Sequence, residues 1–284
     1  MRALSLILAG LGLLIASMAH SEPLQTDRGL TFEVWTPPGF EQSHSRFPLV
    51  VFSHGFGGCA RQSTFLTAAL AEDGYLVVAP NHADAHCNRG GFRERSRPEE
   101  PFRNAGAWSD QTYRDRRDDV EALIAFVLSH EPYASRVDRA RIGLAGHSLG
   151  GYTVLGLGGA WPSWKDARVK AVLALSPYAS PYLEHGTLGT MLVPVMYQGG
   201  TLDLGITPSV AKDGGVYDRS SAPKYFVDFR RAGHLAWTDL NPMFQRDINA
   251  YALAFFDRYL KGRRSTLLED QPKDDLADYR AAQR

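Results

Sequence analysis

Along most of this chain, short runs of apolar residues alternate with longer stretches in which apolar residues recur every three or four positions. Residues 30–36 alternate as an early strand. Residues 48–53 (Pro-Leu-Val-Val-Phe-Ser) and 75–80 (Tyr-Leu-Val-Val-Ala-Pro) are almost continuously apolar, as parallel strands buried on both faces would be. The same reading predicts strands at 140–147, 169–175, 193–197 and 224–229. Helices are predicted at about 60–72, 110–130, 149–158 and 243–260, and in the second of these Val120, Leu123, Ile124, Val127 and Leu128 mark one apolar face. Strand–helix alternation of this kind implies an α/β fold, with a mostly parallel central sheet and helices on both faces. In such sheets reactive groups collect at the carboxyl ends of the strands.

Three stretches depart from this rhythm. The first 21 residues hold one cation, Arg2, an apolar run from Leu4 to Met18, and small residues around Ala19-His20-Ser21. This is the pattern of a signal peptide, and the run is shorter than a membrane span needs. The expectation is therefore an exported protein, secreted or periplasmic, with residues 22–284 forming one domain and no stable membrane span. Residues 84–110 contain Arg89, Arg93, Arg95, Arg97 and Arg103 with several Gly and Pro, and read as a long surface loop that is either a lid or binding loop or a solvated excursion. Its arginines could recognise an acidic group on a substrate. The polar tail from Lys261 is expected to be peripheral.

Lys and Arg together number 31, as do Asp and Glu, and this balance argues against nucleic acid as a partner. The two cysteines, Cys59 and Cys87, lie on loops expected to leave the same edge of the sheet. In an oxidising compartment they can pair, the alternative being two separate buried thiols.

The chemistry is carried by Gly146-His147-Ser148-Leu149-Gly150-Gly151, which follows an apolar strand and opens a helix. That is the context of a nucleophile elbow, in which the glycines allow a turn too tight for side chains and Ser148 is presented at its tip. A serine hydroxyl needs a base, and His234, just past strand 224–229, is the candidate. Asp203, directly past strand 193–197, is expected to orient it, with Asp213, Asp218 and Asp239 as competitors. The order Ser148, Asp203, His234 is the one this fold uses. The backbone N–H groups of Phe56 and Leu149 are the candidate oxyanion donors, and His54 is expected to brace the Phe56 loop. His147 is expected to point away from the base. His82-Ala-Asp84-Ala-His86 admits a zinc reading, but no further ligand cluster accompanies it, so a polar loop at the rim of the site is expected and no metal or other cofactor.

With these residues in view, the chain resembles α/β-hydrolases from residue 30 to 260. Within them it is similar to the bacterial group called predicted dienelactone hydrolases, related to platelet-activating-factor acetylhydrolases. The matching pieces are Ser53-His-Gly-Phe-Gly-Gly58, Pro80-Asn-His-Ala-Asp84, the helix start from Arg114 to Val120, and Gly146-His-Ser-Leu-Gly-Gly-Tyr152. It departs from true dienelactone hydrolases in having Ser148 where they have cysteine, and it resembles secreted polyester and cutin hydrolases less closely. The resemblance implies hydrolysis of a small-molecule or lipid-like carboxylic ester. Amides, thioesters and phospholipid acetyl groups are the alternatives, and a non-catalytic binding module is a third.

Overall fold

In the computed structural model, residues 22–86, 97–269 and 276–283 are described. The expected signal peptide, Cys87 and the arginines Arg89, Arg93 and Arg95 lie outside the described residues.

The apolar runs become nine strands: β1 (Glu22–Gln25), β2 (Thr31–Trp35), β3 (Phe47–Ser53), β4 (Leu76–Pro80), β5 (Val137–His147), β6 (Val169–Leu175), β7 (Val195–Gly200), β8 (Lys224–Phe229) and β9 (Leu276–Ala282). They form one sheet in the order β1-β2-β4-β3-β5-β6-β7-β8-β9. The six central strands, β4 to β8 in that order, are parallel, while β1, β2 and β9 pair antiparallel at the edges. The continuous apolar runs have a direct cause. Leu49 and Val51 of β3 point into one core and Val50 and Phe52 into the other, and β4 splits Leu76 and Val78 from Val77 in the same way.

Helix α1 (Thr64–Glu72) lies over the second of these cores, and α2 (Arg114–Ser129) and α3 (Leu149–Leu155) lie over the first. Short helices α4 (Ser180–Glu184), α5 (Thr207–Ala211) and α6 (Val216–Arg219) follow, and α7 (Gln245–Leu260) returns to the second core through Ile248, Tyr251, Phe255 and Phe256. Each such fully buried side chain contributes about 1.5–3 kcal/mol.

Two expectations change. The polar tail is not peripheral: α8 (Thr266–Glu269) buries Leu268, and β9 pairs with β8 from Lys224 to Phe229. Residues 97–110 are not a solvated excursion either. Trp108 is fully buried, and Phe102 packs on Trp108 and Tyr178 with ring centroids 5.4 and 5.0 Å apart.

Candidate active site

β5 ends at His147 and α3 begins at Leu149, so Ser148 is the single residue of the turn, with φ 54° and ψ −115°. That left-handed φ is costly for a side-chain-bearing residue and is held by neighbours. Ser148 N–H donates to Leu175 C=O at 3.0 Å, and Ser148 C=O accepts from Tyr178 N–H at 3.0 Å. The flanking glycines are obligatory: a Cβ on Gly150 would lie 1.9 Å from the Ser53 carbonyl oxygen, and one on Gly146 would lie 2.3 Å from that of Gly150.

The structure brings the expected base and acid to this serine. His234 Nε2 is 3.0 Å from Ser148 Oγ, and His234 Nδ1 is 3.2 Å from each oxygen of the buried Asp203 carboxylate. The loops that carry Asp203 and His234 are tied together, Leu202 N–H donating to Ala232 C=O and Thr201 N–H to Phe229 C=O. Of the competing acids, Asp239 caps α1 by accepting from Thr64 and Phe65 N–H, and Asp218 accepts from Gly214 N–H.

Phe56 and Leu149 flank Ser148 from two elements. Leu149 opens α3, so its N–H has no intrahelical carbonyl to meet. In the loop after β3 the N–H groups beside Phe56 are occupied: Gly55 donates to Gln62 Oε1, Gly57 to Asp84 Oδ2, and Gly58 to Gly55 C=O. Among the described residues no acceptor meets Phe56 N–H.

Beneath that loop lies a buried polar network. The Arg116 guanidinium is fully buried and grips both Asp84 oxygens at 2.7 and 2.8 Å, while its Nη1 donates to His54 C=O at 2.7 Å. His54 accepts from His82 N–H, and His82 contacts Ser53 Oγ at 2.9 Å and Asp119 at 2.8 Å. Burial, then the charge of Arg116, pushes the His54 and His82 imidazoles well below their usual range. Burial works to raise the Asp84 carboxyl, but Arg116 and Gly57 N–H outweigh it and hold it low. His82 and Asp84 are thus committed to bracing the loop, and among the described residues no cluster with metal-binding composition occurs.

His147 differs from expectation. It does not point away from the base: its Nε2–H donates to His234 C=O at 2.9 Å, and its Nδ1 accepts from Gln62 Nε2 at 2.9 Å. Burial, then the neighbouring His234, holds it at about 3, so it is neutral at pH 7. Gln62 and His147 therefore link the Phe56 loop to the backbone of His234. Gln62, Arg116 and Ser176, whose Oγ touches both His234 and Asp203, escaped the sequence reading. Gln62 and Ser176 sit in no local motif, and the charges from Arg114 to Asp119 read as surface pairs. Arg116 alone carried a signal, as a cation on the apolar side of a helix.

These groups open into a cleft of about 1050 Å³ lined by Phe56, Phe102, Tyr178 and Ile206, with Arg61 and Arg103. Its rim is apolar and exposed: Leu202, Leu204, Leu235 and Leu240 line it with 60, 76, 52 and 78% of their surface accessible.

A family model described as "Alpha/beta hydrolase family" matches residues 50–283. Among curated proteins the chain is 34% identical over 116 residues to the Bacillus subtilis (strain 168) protein named "Putative esterase YitV", covering 41% of each chain. It is 23% identical over 173 residues to the platelet-activating factor acetylhydrolase of Cavia porcellus, covering 52% of this chain and 38% of that one. It is 24% identical over 192 residues to the Bos taurus protein of that name, covering 54% of this chain and 41% of that one. The chain thus spans about two fifths of the length of the curated relatives it matches.

Proposed function

The chain belongs to the alpha/beta hydrolase family, and from that premise we propose that it hydrolyses carboxylic esters through an acyl-enzyme on Ser148. The carrying observation is the line Ser148 Oγ, His234 Nε2, His234 Nδ1, Asp203, with contacts of 3.0 and 3.2 Å. Ser148 attacks the ester carbonyl while His234 Nε2 takes its proton. Asp203 keeps the other ring proton on Nδ1 and faces the imidazolium that forms. The N–H groups of Phe56 and Leu149 receive the oxyanion. His234 then protonates the leaving alcohol, water repeats the attack, and the acid is released. No step needs a cofactor.

The apolar rim supports a lipid-like substrate. An exposed cluster of leucines is unfavourable in water unless a ligand covers it, and this one surrounds the nucleophile. The relatives named platelet-activating factor acetylhydrolase make phospholipid acetyl groups the alternative. Arg61 and Arg103 favour a second reading, in which the substrate also carries an acidic group. Amides and thioesters would use the same attack.

A panel of p-nitrophenyl esters of rising acyl length tests this reading. The expected result is hydrolysis by the wild type, loss of at least about a thousandfold in Ser148→Ala, and kcat/KM that rises with chain length. Equal rates for wild type and Ser148→Ala would overturn it. A neutral and an anionic ester of equal length, compared in Arg103→Ala, separate the two substrate readings.

The proposal extends to location. The charged start, apolar run and small residues of the first 21 positions support export. A Cys59–Cys87 disulfide belongs to the same picture. Cys59 is buried, and the residues next to the two cysteines are in contact, His86 N–H donating to Gly58 C=O at 2.9 Å. Peptide mapping of the exported protein without reduction should recover the two cysteines linked. Two free thiols would remove the bond from the proposal.

A further inference from the structure

Ser176 sits where the reaction described above asks for nothing. It follows β6, is fully buried, and holds φ at 42°. That is the left-handed region, costly for any residue with a side chain, and Pro177 behind it narrows the choice further. The conformation is held from several sides. Ser176 N–H donates to Gln198 C=O at 2.7 Å, and the residues on either side of Ser176 and Pro177 bond to the backbone of Ser148 through Leu175 C=O and Tyr178 N–H. Pro177 also fills the space where Gly151 lacks a Cβ, 2.5 Å from where one would stand. The turn is docked on the nucleophile elbow itself. Strain maintained in this way marks positions that hold a group in place, and the group held here is the Ser176 hydroxyl. It donates to Asp203 Oδ2 and lies 2.9 Å from His234 Nδ1, closer than either carboxylate oxygen at 3.2 Å.

We infer that Ser176 is a positioning residue, a hydroxyl bridge between the His234 imidazole and the Asp203 carboxylate. The inference rests on the proposed role of Ser148. An ionised carboxylate can only accept, so the Ser176 O–H points to Asp203 and its lone pairs are left for His234 Nδ1–H. This polarity keeps the ring proton on Nδ1 and leaves Nε2 free to accept from Ser148. When Ser148 attacks, its proton moves to Nε2 and the Nδ1 proton stays where it is. The new positive charge is then shared between the polarised hydroxyl and the carboxylate, and no proton passes to Ser176.

The test compares wild type with Ser176→Gly and Ser176→Ala on a short p-nitrophenyl ester. Glycine accepts a φ of 42° without cost, so Ser176→Gly removes the hydroxyl while keeping the turn, and it should melt above Ser176→Ala, which loses the same hydroxyl and keeps the strain. The bridge predicts a drop in kcat of roughly 10- to 100-fold, the worth of a hydrogen bond to a charged group, with little change in KM. It also predicts that the low-field proton resonance of His234 Nδ1–H moves or is lost to exchange. Adding Ser176→Gly to Asp203→Asn should cost little more than Asp203→Asn alone, because both act through Nδ1. Wild-type kcat in Ser176→Gly, an unmoved Nδ1–H resonance, or fully additive losses would each overturn the bridge. If the wild type and Ser148→Ala are equally inactive on esters, the ester reading fails, and the resonance still decides the bridge.

Discussion

Gly150 measures how little room surrounds Ser148. Its missing Cβ would sit 1.9 Å from the Ser53 carbonyl oxygen, a distance no relaxation of a β-strand backbone can absorb. Gly150→Ala is expected to yield protein that is insoluble or melts well below wild type, as thermal unfolding would show. Asp203→Asn is the opposite kind of change, nearly isosteric. It should leave the melting temperature close to wild type and lower kcat by about 10⁴-fold, as in other triads that lose the charge and tautomer control of this carboxylate. A fall of only a few fold would shift the burden of orienting His234 onto Ser176.

The elements are joined by polar contacts that their own sequences do not advertise. Arg116 of α2 reaches under the β3–α1 loop to hold Asp84 and the His54 carbonyl. Arg116→Met would leave the Asp84 carboxylate facing an apolar side chain, and breaking a buried pair from one side costs about 3–5 kcal/mol. Denaturant unfolding should record that loss, and kcat should fall with it because the Phe56 loop is released. At the other edge, β9 places Asp278 opposite Asp228 of β8. Burial, then the charge of Asp278, lifts the Asp228 carboxyl to about 6. A carboxyl raised in the folded state is stabilising while protonated, and that contribution is lost as pH climbs through about 6. Asp228→Asn should therefore raise the melting temperature more at pH 8 than at pH 5. No difference between the two pH values would mean that the carboxylate is solvated after all.

For the whole molecule, three buried imidazoles set the behaviour in acid. His54, His82 and His147 all lie below the usual histidine range, with burial as the main cause. The unfolded chain takes up a proton on each near pH 6.5 while the folded chain does not, so stability falls as pH drops. The loss deepens as pH falls further below that value. Asp119 and Asp228, both raised to about 6, work in the other direction, as do Glu99, Asp115 and Glu121, while Asp84, Asp166 and Asp257, held low by their cationic partners, add to the loss. Denaturant midpoints should decline steadily from pH 7 to 4.5, and a flat profile would show that the imidazoles are hydrated in the native state.

The elbow at Ser148 and the parallel sheet were legible in the chain because both are local. A buried strand announces itself by a continuous apolar run, and the elbow by glycines spaced around a serine between strand and helix. His234 and Asp203 could be placed because each lies just past a strand end in a fixed order. Other features depend on which strands are neighbours and where loops return. The β6 turn places Ser176 between acid and base only because β5, β6 and β7 lie side by side. His147 bonds to the His234 backbone because the β8 loop folds back over the elbow. The tail becomes a strand because the edge of β8 offers unpaired backbone groups, which a sequence as polar as Leu-Ala-Asp-Tyr-Arg-Ala-Ala does not reveal. Short-range sterics and burial thus determined the frame and the elbow at Ser148. Contacts between segments far apart in the chain decided how its partners are held.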